Sequence, residues 1–430
     1  MSQYKKILIA IVLVLLLTVL LPEGIYQFRT GIGQWQMLLL THRMALMLHV
    51  LGWTVILWCF HFLLKRFTDL SSGSRRNWML AAATVALAFV GAEAVVRFSG
   101  HMSGYMEKRF GFYWPVYHAG PRSAYHVRCK TCAVSLKGKD FTFERTTNSL
   151  GIAFPEPPLQ KDTNEIRILA LGDSFTEGDG APQDSTWVKA MERKLQQFYP
   201  AWKITCINAG VSGSDPVFEY HLLKNKLLQY QPDVVIVGIN ASDVEDIIVR
   251  GGLERFVSED TCVFKKGPWW DKLYAVSHIF RMLVHLHYNH LLLTAKEYQQ
   301  AQQKAIAIIT DILNRYAELG RQNDFRFISL LMPVRSDFER QRFESLQALA
   351  ESLTAQDSLP VINLYDALVA DSSISARDAK NFYWEEGHPN SAGYILFGQK
   401  IAESLIGNRV PDKFNGSTAD IFSEYSRLRH

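Results

Sequence analysis

The second half of the sequence alternates short, uniformly apolar runs with amphipathic stretches of helical period. A strand that is apolar at every position needs cover on both of its faces, which a sheet buried between two layers of helices provides. This alternation therefore predicts an α/β domain built on a parallel, doubly wound sheet. The predicted strands are residues 166–171, 203–207, 233–239, 326–332 and 360–363, and the predicted helices are residues 184–198, 216–229, 296–320, 337–354 and 391–406.

Polar residues follow several of these runs, at the sheet edge where ligands of such folds bind. The first run leads into residues 172–174 (Gly-Asp-Ser), the second into residues 208–213, and the third into residues 238–240 (Gly-Ile-Asn). Residues 384–390, Trp-Glu-Glu-Gly-His-Pro-Asn, precede the last predicted helix. A lone serine at such a turn is most often a helix cap. Together, however, these segments place a hydroxyl, a glycine N–H, a carboxamide and an imidazole at one edge, the groups that acyl transfer requires.

These four blocks, within residues 166–406, resemble those of the SGNH (GDSL-type) hydrolases. The resemblance implies a flavodoxin-like, three-layer α/β/α fold over residues 164–408 and a serine esterase that needs neither a cofactor nor a metal. It implies that Ser174 is the nucleophile and His388 the base. It also implies an oxyanion hole made by the N–H groups of Ser174 and Gly213 and the side-chain amide of Asn240.

The acidic member of the triad departs from the family pattern. The family has an aspartate three residues before its histidine, whereas this chain has Glu385 at that position. Glutamate serves in such triads on other folds. We therefore expect Glu385 to orient His388 through Nδ1, with Glu386 as the alternative. The asparagine block departs as well, because Gly-Ile-Asn-Ala replaces the usual Gly-x-Asn-Asp and Asp243 is displaced.

The first hundred residues hold most of the excess of apolar residues. Residues 7–22, 44–64 and 78–96 each come close to the roughly 20 apolar residues that span a bilayer. Residues 1–97 are therefore predicted to be a membrane anchor of three transmembrane helices. Lysines and arginines precede the first span and fill the second connection, so the positive-inside rule places the N-terminus in the cytoplasm and the chain after Arg97 outside.

Three further segments lack the regular alternation. Residues 98–163 are rich in aromatic and basic residues and are interpreted as an extracytoplasmic connector, and residues 409–430 as a C-terminal tail. Residues 246–293 interrupt the alternation, either as a helix packed on the sheet or as a lid over the site or an element on the outer leaflet. Glu93, one helical turn from Arg97, is interpreted as pairing with it and snorkelling to the outer interface.

These features favour one function and leave two alternatives. The net charge of +4 gives no support to nucleic-acid binding. A catalytic domain on the periplasmic side of a bacterial plasma membrane meets envelope glycans and lipids. We therefore expect an esterase that removes acyl groups, chiefly acetyl, from such a substrate through an acyl-enzyme on Ser174. The alternatives are an O-acyltransferase with a sugar acceptor and a non-catalytic glycan-binding or assembly protein. The sequence does not indicate an oligomeric state.

Overall fold

The structure is a computed structural model in which the chain forms two units. One unit comprises Met1–Gly120 and Phe264–Tyr298, and the other comprises Pro121–Val263 and Gln299–His430. The residues that the structure describes are 88–89, 91–93, 95–96, 122–125, 133–137, 141–152, 155–156, 158–263, 270, 277–287, 289, 291–354, 359–371 and 381–408.

A five-stranded parallel sheet lies at the centre of the second unit, and its strands lie in the order Lys203–Asn208 (β5), Glu165–Leu171 (β4), Val234–Ile239 (β6), Arg326–Leu331 (β8) and Val361–Asn363 (β9). The first strand of this sheet along the chain lies between the second and the third, which is the arrangement of a doubly wound fold. The α/β prediction is therefore confirmed. The strands are β1 (Arg122–Ser123), β2 (Ala133–Lys137), β3 (Thr142–Thr146), β4 (Glu165–Leu171), β5 (Lys203–Asn208), β6 (Val234–Ile239), β7 (Thr261–Cys262), β8 (Arg326–Leu331) and β9 (Val361–Asn363).

Hydrophobic cores cover both faces of this sheet. In β4, which is buried at every position, Ile166, Ile168 and Ala170 belong to one core cluster. Leu169 and Leu171, which point to the other face, belong to the second cluster. Because successive side chains of a strand point to opposite faces, a strand between two cores must be apolar throughout.

Helices connect the strands and supply the outer layers. The last helix packs closely on the first long one: a Cβ added at Gly398 would lie 2.3 Å from the carbonyl oxygen of Trp187. The helices are α1 (Ser174–Glu177), α2 (Trp187–Phe198), α3 (Pro216–Leu222), α4 (Ala241–Arg250), α5 (His278–Leu286), α6 (Ala295–Asn323), α7 (Arg335–Glu339), α8 (Gln347–Thr354), α9 (Leu364–Val369) and α10 (Ser391–Gly407).

The prediction of one continuous helix over residues 337–354 is wrong, because two helices, α7 and α8, occupy that segment. Asp337 belongs to α7, and its carboxylate contacts the loop that follows this helix. It accepts hydrogen bonds from the backbone N–H groups of Glu344 and Ser345 and from Ser345 Oγ. An aspartate that satisfies loop backbone groups in this way competes with helical hydrogen bonding, which accounts for the interruption.

Part of the predicted connector contributes to the second unit. Within residues 121–163, β2 and β3 form an antiparallel hairpin. Residues of β3 alternate between exposed and buried, and the buried positions are Phe143 and Arg145. The hairpin therefore adds packed side chains to the unit that holds the parallel sheet.

The predicted membrane anchor lies largely outside the described residues. The predicted spans 7–22 and 44–64 lie entirely outside these residues. The predicted tail, residues 409–430, also lies outside them. Of the span 78–96, seven residues between 88 and 96 are described, and all are helical. Within the described part of the chain, no helix combines the length and the apolar character needed to cross a membrane.

Glu93 caps a helix in the first unit. Its carboxylate accepts hydrogen bonds from Ser277 Oγ and from the backbone N–H groups of His278 and Ile279, at the start of α5. Helix N-termini favour a carboxylate because their N–H groups lack intrahelical acceptors. The Glu93 side chain is only 4% exposed. It therefore contacts α5 instead of extending into water as predicted, while Arg97 lies outside the described residues.

Candidate active site

Ser174 lies where the chain turns from β4 into α1. Gly172 allows the turn: its φ is +148°, and an added Cβ would lie 2.1 Å from Thr176 Oγ1. Asp173 caps α1, since its Oδ1 accepts a hydrogen bond of 2.9 Å from the Phe175 N–H. Because Asp173 fills the capping role, the Ser174 hydroxyl at the first helical position is available for chemistry.

Ser174 and His388 are in direct contact. The Ser174 Oγ lies 2.8 Å from His388 Nε2, although 214 positions separate the two residues in the chain. On the other side of the ring, His388 Nδ1 lies 2.8 Å from Glu386 Oε1 and 2.9 Å from Oε2. A neutral imidazole that donates from Nδ1 presents a lone pair at Nε2. The ring is therefore poised to accept the Ser174 proton.

The carboxylate beside His388 Nδ1 belongs to Glu386, the alternative to the expected Glu385. The chain reverses direction here: the Trp384 N–H donates to the His388 carbonyl and the Gly387 N–H to the Trp384 carbonyl. Gly387 has φ +109°, in the region that glycine favours. This tight turn brings the side chain two residues before the histidine onto Nδ1.

The charge of Glu386 sets the protonation of the ring. Burial lowers the pKa of His388, but the hydrogen bond and the negative charge of Glu386 outweigh that effect and raise it above its ordinary value. Burial raises the pKa of Glu386, and the contact with His388 reverses this, so that the carboxyl pKa lies below its ordinary range. The lowered pKa favours an ionised Glu386, and the raised pKa favours a charged His388 ring beside it.

The segment 208–213 lies against α1. The Ser212 N–H donates a hydrogen bond of 2.6 Å to Glu177 Oε2, in the last position of that helix. Gly213, the next residue, has φ +73°, and an added Cβ would have no neighbouring atom within 4 Å. The Ser174 N–H, at the start of α1, has no acceptor within the helix. The two backbone donors predicted for the oxyanion hole therefore belong to contacting segments.

Asn240 follows β6 and is tied to the serine turn. Its Oδ1 accepts a hydrogen bond from the Ser242 N–H, which caps α4, and its Nδ2 donates to Asp173 Oδ2, each at 2.8 Å. The displaced Asp243 completes this cap, because its Oδ2 accepts from the Asn240 N–H. An amide nitrogen carries two hydrogens. Nδ2 can therefore donate to Asp173 and to a substrate oxygen at the same time.

Three charged side chains around these loops were not predicted. The Arg145 Nη1 lies 3.2 Å from Glu177 Oε1, and the Arg250 Nη1 donates a 2.7 Å hydrogen bond to the Gly213 carbonyl. The position of Glu177 inside the Gly-Asp-Ser block was a usable signal, since it closes the turn that carries Ser174. Neither arginine belongs to a recognisable motif. Among the described residues, no group of histidine, cysteine, aspartate or glutamate side chains is arranged to hold a metal ion.

The model of the family described as "GDSL-like Lipase/Acylhydrolase" matches residues 170–396, which is 227 of the 430 residues. The matched range contains Ser174, Gly213, Asn240 and His388. An uncharacterized protein of Mycoplasma pneumoniae is 25% identical over 88 residues. That match covers 20% of this chain and 10% of the relative, so the chain spans about a tenth of the length of this curated relative.

Solved structures also show similarity to this chain. One is a two-domain esterase (CEX) active on acetylated mannans, with 16% identity, coverage of 56% of this chain and 49% of that chain, and a TM-score of 0.33. A lipase/acylhydrolase from Enterococcus faecalis has 19% identity, coverage of 56% and 96%, and a TM-score of 0.31. The acetylxylan esterase Axe2 from Geobacillus stearothermophilus, solved as a catalytic mutant, has 14% identity, coverage of 55% and 93%, and a TM-score of 0.34.

Proposed function

Because the chain belongs to the GDSL-like lipase/acylhydrolase family, a family of serine ester hydrolases, we propose that Ser174 is its nucleophile. The observation that carries this proposal is the continuous contact from Glu386 through His388 to the Ser174 hydroxyl, at 2.8 Å on either side of the ring. A hydroxyl beside a base that is itself oriented by a third group is the arrangement of an activated nucleophile.

The proposed reaction has two steps. His388 takes the proton of Ser174 as the hydroxyl oxygen attacks the ester carbonyl, and then returns it to the leaving alcohol. The acyl group is left on Ser174 until a water molecule, deprotonated by His388, releases the free acid. Glu386 holds the ring in the required tautomer and stabilises the imidazolium that forms in each step.

Negative charge on the carbonyl oxygen needs donors that are in place before the reaction. The N–H groups of Ser174 and Gly213 and the Nδ2 of Asn240 fill this role in the proposal. Loss of one such donor typically costs about 3 kcal/mol in the barrier. The N-terminus of α1 adds a favourable dipole at the same position.

The proposed substrate is an acylated, chiefly acetylated, glycan or a lipid of the cell envelope. Support comes from the three apolar runs in the first hundred residues and from the lysines and arginines around them, a pattern that by the positive-inside rule predicts a catalytic domain outside the cytoplasm. Such a domain meets envelope polymers before any cytosolic metabolite. The acyl group is expected to be short, as the resemblance to the SGNH hydrolases implies.

Labelling by a fluorophosphonate probe tests the proposal. We expect a membrane-impermeant version to label the wild-type protein in cells whose outer barrier has been opened, and Ser174→Ala and His388→Ala to abolish both labelling and hydrolysis of acetyl esters. Ser404→Ala, which removes a hydroxyl near the end of α10, is the matched control and should behave as wild type. Esterase activity that survives in Ser174→Ala would exclude the mechanism. Turnover that depends on an added sugar acceptor would indicate the transferase instead.

A further inference from the structure

Arg145 is a buried cation that reaches the serine turn from outside the family-model range. Its side chain is fully buried in β3, upstream of the matched residues 170–396. The Nη2 donates hydrogen bonds to the carbonyl oxygens of Gly178 (2.8 Å) and Ala181 (3.2 Å). The Nη1 lies 3.2 Å from the Glu177 carboxylate. A buried guanidinium is tolerated only where such partners compensate its lost hydration, so these contacts fix the segment after Ser174.

Glu177 connects Arg145 to the segment 208–213, which ends at Gly213. Its side chain is 4% exposed, and its two oxygens face different partners. Oε1 is the oxygen that faces Arg145, whereas Oε2 accepts the 2.6 Å hydrogen bond from the Ser212 N–H. The Ser212 hydroxyl is held as well, by a 2.9 Å hydrogen bond to Asp179 Oδ2. The residue before Gly213 is therefore anchored through both its backbone and its side chain.

Polar contacts hold the chain on both sides of Gly213. A Cβ at this position would meet nothing within 4 Å. On the other side of the residue, the Gly213 carbonyl accepts a 2.7 Å hydrogen bond from Arg250. The direction of the Gly213 N–H thus depends on the anchor at Ser212 before it and on Arg250 after it.

We propose that Arg145 and Glu177 are positioning residues for the oxyanion hole: they hold the Ser212–Gly213 peptide so that its N–H points at the developing oxyanion. The inference rests on the proposed function, in which Gly213 is a donor. Arg145 also compensates the charges of Glu177 and Asp179, with Nη1 at 3.6 Å from the Asp179 carboxylate. Without that compensation, both carboxylates would oppose negative charge on the substrate.

Kinetics of the full-length protein in detergent test this role. We expect Arg145→Ala and Glu177→Ala to lower kcat for a short ester such as p-nitrophenyl acetate by about 10- to 100-fold, the scale of a donor displaced by a fraction of an ångström to 1 Å. KM should stay within about twofold, because the donor acts on charge that develops after binding. Arg145→Lys should restore part of kcat, since a lysine keeps the charge but not the planar fork.

A transition-state-like inhibitor separates positioning from a merely structural role. A trifluoromethyl ketone forms a tetrahedral oxyanion on Ser174, so its affinity should fall across the variants in proportion to kcat/KM. Arg193→Ala removes an exposed arginine on α2 that donates to a backbone carbonyl, and it should change neither quantity. Melting temperatures identify any variant that fails to fold. In that case Arg145→Lys and Glu177→Gln replace the alanine variants in the comparison.

Two outcomes would overturn the inference without touching the proposed function. One is folded Arg145 and Glu177 variants with wild-type kcat while Ser174→Ala is inactive. The other is a loss of kcat with unchanged affinity for the trifluoromethyl ketone, which would assign both residues to structure alone. Activity in Ser174→Ala would instead remove the proposed function itself.

Discussion

His388 lies between a carboxylate and a hydroxyl, and its protonation state decides when the enzyme can act. The base must be neutral to accept the Ser174 proton. Glu386 stabilises the charged ring and so raises the pKa of His388 above its ordinary value of about 6.5, against the effect of burial. The acid limb of the activity profile should follow this raised pKa, with kcat/KM rising as pH passes through it.

Replacing Glu386 should change both the position and the height of that profile. In Glu386→Gln the negative charge is lost, so the pKa of His388 falls and the acid limb moves to lower pH. The plateau should fall by about 10²- to 10⁴-fold, because the ring is less well oriented and its charged form is no longer stabilised. Glu385→Gln removes an equal charge one residue away and serves as the control. A pH profile of kcat/KM that changes in Glu385→Gln and not in Glu386→Gln would return the acidic role to Glu385.

The sequence did not determine which glutamate contacts His388. Ser174 and His388 were predicted because each lies in a recognisable block, and the structure brings them into contact. Glu385 and Glu386 share one block and one side-chain type, and their spacing from the histidine alone does not distinguish them. The direction of each carboxylate depends on the turn closed by Gly387, and this turn is a property of the folded chain.

At the scale of elements, α4 begins at a residue with two roles. Asn240 caps the helix through Oδ1 and presents Nδ2 towards the serine turn. Asn240→Ser keeps an oxygen that can cap, whereas Asn240→Ala keeps neither group. We expect both variants to lose about 10²-fold or more in kcat. Asn240→Ala should also lose about 1 kcal/mol of stability, a few degrees in melting temperature, relative to Asn240→Ser.

The two measurements separate the helix cap from the catalytic donor. Asn363→Ala is the matched control, since Asn363 caps α9 through a hydrogen bond from the Tyr365 N–H. It should lower the melting temperature and leave kcat unchanged. Wild-type kcat in Asn240→Ser would show that the carboxamide is not an oxyanion donor.

Elements with a regular apolar pattern were predictable, and those held by polar side chains were not. The strands of the sheet appear as apolar runs because both of their faces are buried, and β6 is an example. In β3 the buried positions are a phenylalanine and an arginine, so its alternation is hidden by a charged residue that sequence patterns place outside. The break between α7 and α8 was missed for a similar reason, since it depends on hydrogen bonds to one Asp337 carboxylate.

In the unit that holds the parallel sheet, buried carboxyl groups differ in whether arginines offset their negative charge. Asp215 is buried, yet Arg255 and Arg250 contact it and lower its pKa to about 2, against the effect of burial. Glu219 and Asp243 are fully buried, and among the described residues no arginine donates a hydrogen bond to either carboxylate. In the part of the chain that the structure describes, Glu219 Oε2 and Asp243 Oδ1 have no hydrogen-bond partner. Burial accordingly raises the pKa of both carboxyl groups well above the ordinary range.

These raised pKa values make the unit less stable as pH rises. Between the ordinary pKa of a glutamate, about 4.3, and the raised pKa in the folded state, the folded chain keeps a proton that the unfolded chain has released. Since stability falls with pH wherever the folded state binds more protons, the contribution of Glu219 is present at low pH and is lost as pH rises through this window. The folded unit is therefore expected to be least stable in alkaline conditions.

Glu219→Gln should remove this dependence. The amide keeps an oxygen to accept the Ser214 hydroxyl hydrogen bond, as Glu219 Oε1 does at 2.7 Å, and it does not ionise. We expect a melting temperature close to wild type at pH 5 and higher than wild type by several degrees at pH 8, because the amide has no proton that unfolding releases. The scale is about 1.4 kcal/mol for each unit by which the pKa in the folded state exceeds that in the unfolded state. Glu351→Gln, an exposed substitution on α8, controls for the loss of one negative charge. An equal shift at both pH values would mean that the folded protein does not keep a proton on Glu219 that the unfolded chain has released, and the linkage would be wrong.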